Sequence, residues 1–294
     1  MANLKAIRIR ITSVKSTRQI TSAMKMVAAA KLRKAQDKIV RLRPYANKLQ
    51  EILLNLSQSL ADSEVENVFS RSSSPEKILI VIITSNRGLC GAFNSNVIKE
   101  AKRVIADNYL EQYKKSNVKF LAVGKKGFDY LRKQNLNISS EGNDLLNNLT
   151  FERVSAVAEN VMNSFILGEV DRVEIIYNHF KNAAVQLLTT EVFLPVEKPK
   201  ESGKSSVPVD YIYEPDEEAI VKELIPKSLK IQFYKAVLDS FVAENGARMT
   251  AMHKATDNAT TMIRELTLQY NKARQAAITN QILEVVSGAE ALKG

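Results

Sequence analysis

One cysteine and two histidines are all that this chain of 294 residues holds of those two types. Cys90 stands alone, which excludes an intramolecular disulfide and suits a reducing compartment. His179 and His253 complete the set, too few soft ligands for an ordinary zinc site. A thiol–imidazole nucleophile pair finds no support either, since one histidine lies in the chain's middle and the other in its C-terminal helix. Long apolar runs are missing too. The longest, Ile78–Ile83, is far below the roughly 20 residues that span a bilayer and reads as a buried strand. Phosphate-binding glycine patterns are absent. SNRGLCGAFN at 85–94 has glycine only at Gly88 and Gly91, matching neither dinucleotide-binding nor P-loop spacing. GKKG at 124–127 follows another strand and leaves two readings open, a weak anion site or close helix packing. No secretory or transit segment is read at the N-terminus, so the expectation is a cytoplasmic chain. Nothing in the sequence composes a catalytic centre.

Acid is nearly missing from the first part of the chain. Residues 1–50 hold 13 Lys or Arg against one acid, Asp37, a net of +12 where the whole chain is +10, so the rest sums to −2. The readings of this basic segment are nucleic acid, a transit peptide, a solvated face and an acidic protein partner. Nucleic acid lacks its usual companions here, because no aromatics interleave with the basic residues and no recognition motif follows. A transit peptide is hard to square with a helical phase that runs on into later residues. The composition points to an acidic protein surface.

Helix breakers are scarce at both ends. No glycine or proline occurs from Ala2 to Arg43, and from Lys227 to Ser287 the one breaker is Gly246. The second run alone would reach about 90 Å as a helix. Steps of three and four place Leu4, Ile7, Ile11, Val14, Ala28, Leu32, Ala35, Ile39, Leu42, Ala46, Leu49, Leu53, Leu56 and Leu60 on one stripe, carried through a kink at Pro44. The frame breaks at Arg18, Thr21 and Lys25, where the apolar residues shift to Ile20, Met24 and Val27 on a rotated face. At the other end Met252, Ala255, Ala259, Met262, Leu266, Gln269, Ala273, Ala276, Asn280 and Leu283 keep the same alternation. Stripes this long need a partner helix, and each end of the chain is the obvious partner of the other. A return through a folded body favours an antiparallel pair, with left-handed supercoiling from the 3.5-residue repeat.

Between the ends, strands are expected at Lys77–Thr84, Val118–Val123, Arg172–Asn178 and Val185–Phe193. Helices are expected at Asn94–Lys115, around Phe128–Lys133 and at Phe151–Leu167. The acidic run Asp216–Glu218 reads as a helix's first turn. The alternation predicts a largely parallel, doubly wound sheet. The fold class is therefore α/β: a long antiparallel coiled coil of N- and C-terminal helices plus a doubly wound, Rossmann-like body. The domains are read as an N-terminal shaft helix over 1–70, the body over 75–195, a Pro/Ser/Lys-rich loop over 196–211 and a C-terminal shaft helix over 212–294.

ITSAMKMVAAAKLRKAQ at 20–36, SNRGLCGAFN at 85–94, DYIYEPD at 210–216, ARMTAMHKATDNA at 247–259 and YNKARQAAITNQILEVVSGAEAL at 270–292 closely resemble the gamma subunits of F-type ATP synthases. The motifs run in order through both ends and the body. Lacking a transit peptide and the cysteine pair of the chloroplast form, the chain looks bacterial. The resemblance implies a non-catalytic central-stalk rotor subunit without cofactor. Its coiled coil turns inside a hexamer of three alpha and three beta subunits, and its body sits against the epsilon subunit and the c ring. Ion flow turns the ring and shaft, which drive the beta sites through binding, synthesis and release. No nucleic acid is implied, and the membrane is met through the complex alone, at the cytoplasmic face of the bacterial inner membrane.

By the same resemblance Met24 and Lys25 meet the lever loops of beta, and Arg248, Gln275 and Thr279 make further beta-subunit contacts. Tyr211 and Glu214 go to the c ring. Ile282, Leu283, Val286 and Leu292 form the apolar end that turns in a bearing of alpha and beta. Gln281 stands where many relatives carry Glu, and the 195–210 loop receives no role.

Overall fold

In a computed structural model of the chain, the described residues are 4–59, 69, 75–139, 144–196 and 217–292. They fall into two compact units, Met1–Ala29 with Arg248–Gly294, and Ala30–Ala247. Two helices contribute to both, α1 (Leu4–Ser59) and α6 (Glu217–Ala291). Pro44 and Pro226 lie inside them without ending them. Leu53 and Leu56 carry expected stripe side chains that lie outside the description, as does Leu60 altogether.

The larger unit is built on β1 (Ile78–Ile83), whose six residues ILIVII are all buried. An unbroken β-branched run of this kind suits a strand covered on both faces. It pairs in parallel with β2 (Val118–Val123) and with β4 (Arg172–Phe180). A two-residue strand, β3 (Ile138–Ser139), joins β2 in parallel, and β5 (Gln186–Leu194) closes the other edge antiparallel to β4. The order is β3-β2-β1-β4-β5.

Alternation along the strands feeds two cores. Leu79, Val81, Ile83, Leu121 and Ile175 pack with Val154, Val161 and Phe165 of α5 (Phe151–Ile166) and with Leu229, Phe233 and Val237 of α6. On the opposite face, Ile78, Ile80, Ile82, Phe120 and Ile176 pack with Val97, Ala101 and Val104 of α2 (Phe93–Asn108) and Leu131 of α4 (Lys125–Lys133). Helices therefore cover both faces, as the doubly wound reading requires.

Two features depart from the sequence reading. The helix expected over Asn94–Lys115 is two, α2 and α3 (Leu110–Lys114), divided at Tyr109 with φ −133°. There the chain turns the Tyr109 ring inward, and its hydroxyl donates to the buried Glu174 carboxylate of β4. β3 is too short to carry a period and was not expected.

The GKKG segment resolves in favour of packing. Gly124 holds φ +103°, and a Cβ there would stand 2.3 Å from the Thr84 carbonyl oxygen; one on Gly127 would stand 2.7 Å from Thr84 Oγ1. Neither site admits a larger residue without moving β1. The first amides of α4 are already used. Lys125 N–H donates to Asn86 Oδ1 at 3.0 Å, Lys126 N–H to the Ser85 carbonyl at 3.0 Å and Gly127 N–H to Thr84 Oγ1 at 2.8 Å. Those are the groups that would otherwise hold an anion. Cys90 is buried beside them, 3.7 Å from Ser85 Oγ and accepting from Asn94 Nδ2 at 3.3 Å. Asn178, near the end of β4, donates to the Phe93 carbonyl at 3.2 Å and so bridges the point where the strand order reverses.

Two buried phenols add a pH signature. Burial, and then the hydrogen bond to Glu174, pushes Tyr109 well above the usual tyrosine range, with Arg172 opposing. Burial and the Glu191 carboxylate, which accepts from the hydroxyl at 2.7 Å, do the same for Tyr177. A raised folded value means that the unfolded chain releases these protons first. Their stabilisation is therefore whole below about pH 10 and lost as pH rises beyond it. Above that point, the unfolding free energy of the full chain should fall about 1.4 kcal/mol per pH unit less steeply in Tyr177→Phe than in the parent. Urea titrations at pH 9.5, 10.5 and 11 measure this, and equal slopes would contradict it.

Candidate functional site

The smaller unit pairs the first 29 residues with the last 47. Two contacts give its direction. Arg8 Nη2 donates to Tyr270 Oη at 2.8 Å, and Thr21 Oγ1 lies 2.8 Å from Thr256 Oγ1. Thirteen residues up α1 correspond to fourteen down α6, so the helices are antiparallel with nearly equal advance. Arg8 also places its guanidinium carbon 5.7 Å from the Tyr270 ring centroid, adding a cation–π contact to the hydrogen bond.

The inward stripe of α1 in this unit is Leu4, Ile7, Ile11 and Val14, all half-buried, followed by the buried Thr21 and Ala28. Burial therefore keeps its phase through the polar break, contrary to the expected rotated face. Thr21 is 9% exposed, whereas Ile20 is 60% exposed and Val27 points outward as well. The break is accommodated by pairing polar with polar: Thr21 Oγ1 lies 3.1 Å from the Arg18 carbonyl and Thr256 Oγ1 2.8 Å from the Met252 carbonyl, and the two hydroxyls lie against each other. Satisfied in this way, a hydroxyl pair can sit in a seam at little cost and marks one register.

On α6 the inward positions are Met252, Ala255, Thr256, Ala259, Ile263, Leu266, Tyr270, Ala273 and Ala277. Five of the ten expected positions, Met252, Ala255, Ala259, Leu266 and Ala273, are confirmed, three are replaced by the next residue, and Asn280 and Leu283 lie on the exposed tip. Met262, Gln269, Ala276, Asn280 and Leu283 are exposed, so Gln269 and Asn280 are not polar seam positions. Residues three and four along a helix share a face, and the partner selected the set containing Ile263 and Tyr270. Neither the Arg8–Tyr270 nor the Thr21–Thr256 contact was foreseen, although two threonines on facing stripes were a usable signal.

Outside the seam the surface is lopsided. Residues 1–29 carry six Lys or Arg (Lys5, Arg8, Arg10, Lys15, Arg18, Lys25) and no acid, whereas residues 248–294 mix six with four acids. All six on α1 reach the surface, Lys25 only in part, beside exposed Ile9, Ile20, Met26 and Val27. One helix thus offers a basic face with apolar spots and the other a mixed face.

Continuing the register sets Leu4 level with Arg274. Beyond that, α6 runs on with no described helix of this unit beside it. Every side chain from Ile278 to Leu292 is exposed, Leu292 at 90%, and a Cβ on Gly288 would meet nothing within 4 Å.

The sequence-derived residues are spread along this unit. Met24 and Lys25 are half-buried one turn beyond Thr21, and Arg248 is half-buried at the unit's other boundary. Gln275 and Thr279 are exposed, with Thr279 Oγ1 donating to the Gln275 carbonyl at 3.0 Å. They stand about 40 Å along α6 from Arg248, so the five form two separate places. Ile282, Leu283, Val286 and Leu292 all lie exposed on the unpaired tip. Tyr211 and Glu214 fall outside the described residues. Among the described residues no cluster of three or more His, Cys, Asp or Glu could hold a metal ion. His179 Nδ1 lies 3.0 Å from Asp239 and His253 Nδ1 lies 3.5 Å from Asp257.

A family model described as ATP synthase matches residues 3–292. The ATP synthase gamma chain of Flavobacterium johnsoniae is 58% identical over 294 residues, all of both chains. That of Cytophaga hutchinsonii is 51% identical over 99% of each. Among solved structures, a chain of the Euglena gracilis mitochondrial ATP synthase (OSCP/F1/c-ring, rotational state 3) superposes with a TM-score of 0.69 at 24% identity, covering 98% of this chain and 94% of that one. A chain from the Tetrahymena thermophila mitochondrial ATP synthase (central stalk and c ring) gives 0.59 at 27% identity, covering 80% and 99%.

A lone helical end of this length is marginal in water. In the full chain by itself, amides from Ile278 to Ala291 should exchange with deuterium within seconds, while those of β1 and β4 stay protected. Slow exchange at the tip would mean that the chain covers it by itself.

Proposed function

Because the chain belongs to the gamma-chain family of ATP synthases, we infer that it is the central-stalk rotor subunit, carrying torque between the c ring and the catalytic beta subunits. It has no catalytic site of its own, and ATP is made and hydrolysed on beta. The observation that carries the reading is the antiparallel pair of chain ends, basic on one helix only and ending in a bare apolar helix. Three similar partners arranged around such a surface each meet a different side of it, and that inequality is what lets rotation drive them in sequence.

The two kinds of surface suit two mechanical tasks. Exposed ion pairs are worth about 0.2–1 kcal/mol each and are screened by salt, so a basic face can push an acidic lever and let go. We assign Met24 and Lys25 to this lever contact on beta, with the basic excess of residues 1–50 as support. Arg248, Gln275 and Thr279 serve as the further contacts on beta. Apolar contact is non-directional, which suits Ile282, Leu283, Val286 and Leu292 to a bearing that grips the tip at every angle. Tyr211 and Glu214 are assigned to the c ring on their DYIYEPD motif alone.

The partners are three alpha and three beta subunits, epsilon and the c ring. No helix among the described residues is long and apolar enough to cross a membrane, and the chain is held there peripherally by the complex. For a chain with such bacterial relatives, that place is the cytoplasmic face of the inner membrane.

Reversing charge at Lys25, Lys31 and Lys34 should lower ATP synthesis by the reconstituted complex about tenfold, a cost near 1.4 kcal/mol, and leave nucleotide binding to beta unchanged. Unchanged synthesis would remove the lever contact. Mass spectrometry of intact complexes, recovered through a tag on this chain, should find it once with three alpha and three beta; recovery without them would overturn the rotor reading.

A further inference from the structure

Asp239 sits in α6 within the larger unit, none of its side chain accessible, and no step above uses it. A buried carboxylate is costly unless its oxygens are paired, and an apolar residue of similar size would usually serve stability as well or better. Here both oxygens are taken, each by a different element. Arg43 of α1 donates from Nη2 to Oδ1 at 2.9 Å and from the same nitrogen to the Phe180 carbonyl of β4 at 3.2 Å. His179 of β4 places Nδ1 3.0 Å from Oδ2. One side chain thus joins two helices and the sheet, from positions 43, 179 and 239.

The surroundings keep it in place. A Cβ on Gly246, two turns along α6, would stand 3.3 Å from Ala183 Cα in the β4–β5 turn, so the helix is pressed onto that hairpin. Apolar packing by itself has no preferred direction and tolerates small rotations of a helix about its axis. Charged hydrogen bonds of fixed geometry do not.

We propose that Asp239 is a torsional anchor, a positioning residue that locks the parts of α1 and α6 lying in the α/β unit to β4, so that torque on the sheet reaches both helices without slip. The proposal rests on the rotor reading. Two variants test it, Asp239→Asn, which keeps the shape and loses the charge, and His179→Gln, which removes one arm at a partly exposed position.

The experiment uses the assembled complex fixed to a surface through beta, with a bead on a cysteine introduced at exposed position 107 (D107C) of the sheet unit. ATP hydrolysis by both variants should stay within about twofold of the parent, because the lever contacts are untouched. The angular variance of the bead during catalytic pauses should at least roughly double in Asp239→Asn and rise less in His179→Gln. Coupling ions pumped per ATP against an opposing gradient should fall in the same order. A parent complex that neither assembles nor turns would sink the rotor reading and the anchor with it. A parent that turns normally beside variants of unchanged variance would sink the anchor alone. Should Asp239→Asn fail to assemble, the His179→Gln variance decides, unchanged meaning that there is no anchor.

Discussion

A helix apolar along one narrow stripe must find a second helix or lose its structure to water. Here the chain supplies the second helix from its far end, and much of the remainder follows from that pairing. The sheet unit interrupts the chain between the two helices and lets the second return antiparallel to the first. The seam accepts a partly buried hydroxyl pair, Thr21 with Thr256, because each has a carbonyl of its own helix and the other hydroxyl within hydrogen-bond reach. The outward residues of α1 are then free to be basic, since the inward ones already hold the pair together.

This division of labour explains why the exposed apolar residues are not defects. Ile20 and Val27 are turned out by the same register that turns Thr21 in. A sequence selected only for a stable pair would exchange them. The tip beyond Arg274 carries the same message more strongly, because a bare apolar helix is tolerable only where another molecule covers it.

How much of this was legible in the sequence depended on the period of the signal. β1 was plain, since six β-branched or leucine residues in a row admit few other placements. The stripe of α1 is legible to Leu49, and its polar break keeps phase even though the apolar residues there suggest a rotated face. On α6 the choice between positions 262, 269, 276 and 263, 270, 277 was open, because both sets share a face with Met252 and Leu266. Only the partner helix decides it, and no periodicity carries that information. Tyr109 dividing a helix and Asp239 gathering α1 and β4 were illegible for the same reason: each is a contact between residues far apart in the chain. The assignments at Met24, Lys25, Arg248, Gln275 and Thr279 came from resemblance, and the structure adds to them exposure and spacing.

The capped start of α4 has a consequence for how the molecule answers to its surroundings. In open α/β sheets, helix starts at the strands' carboxyl ends are where phosphates settle. Here Thr84, Ser85 and Asn86 have taken those amides from within. A body built this way has no free amide at that helix with which to register adenylate levels. The seating of α4 on the end of β1 is thereby complete from within the chain, with no bound phosphate needed to hold it.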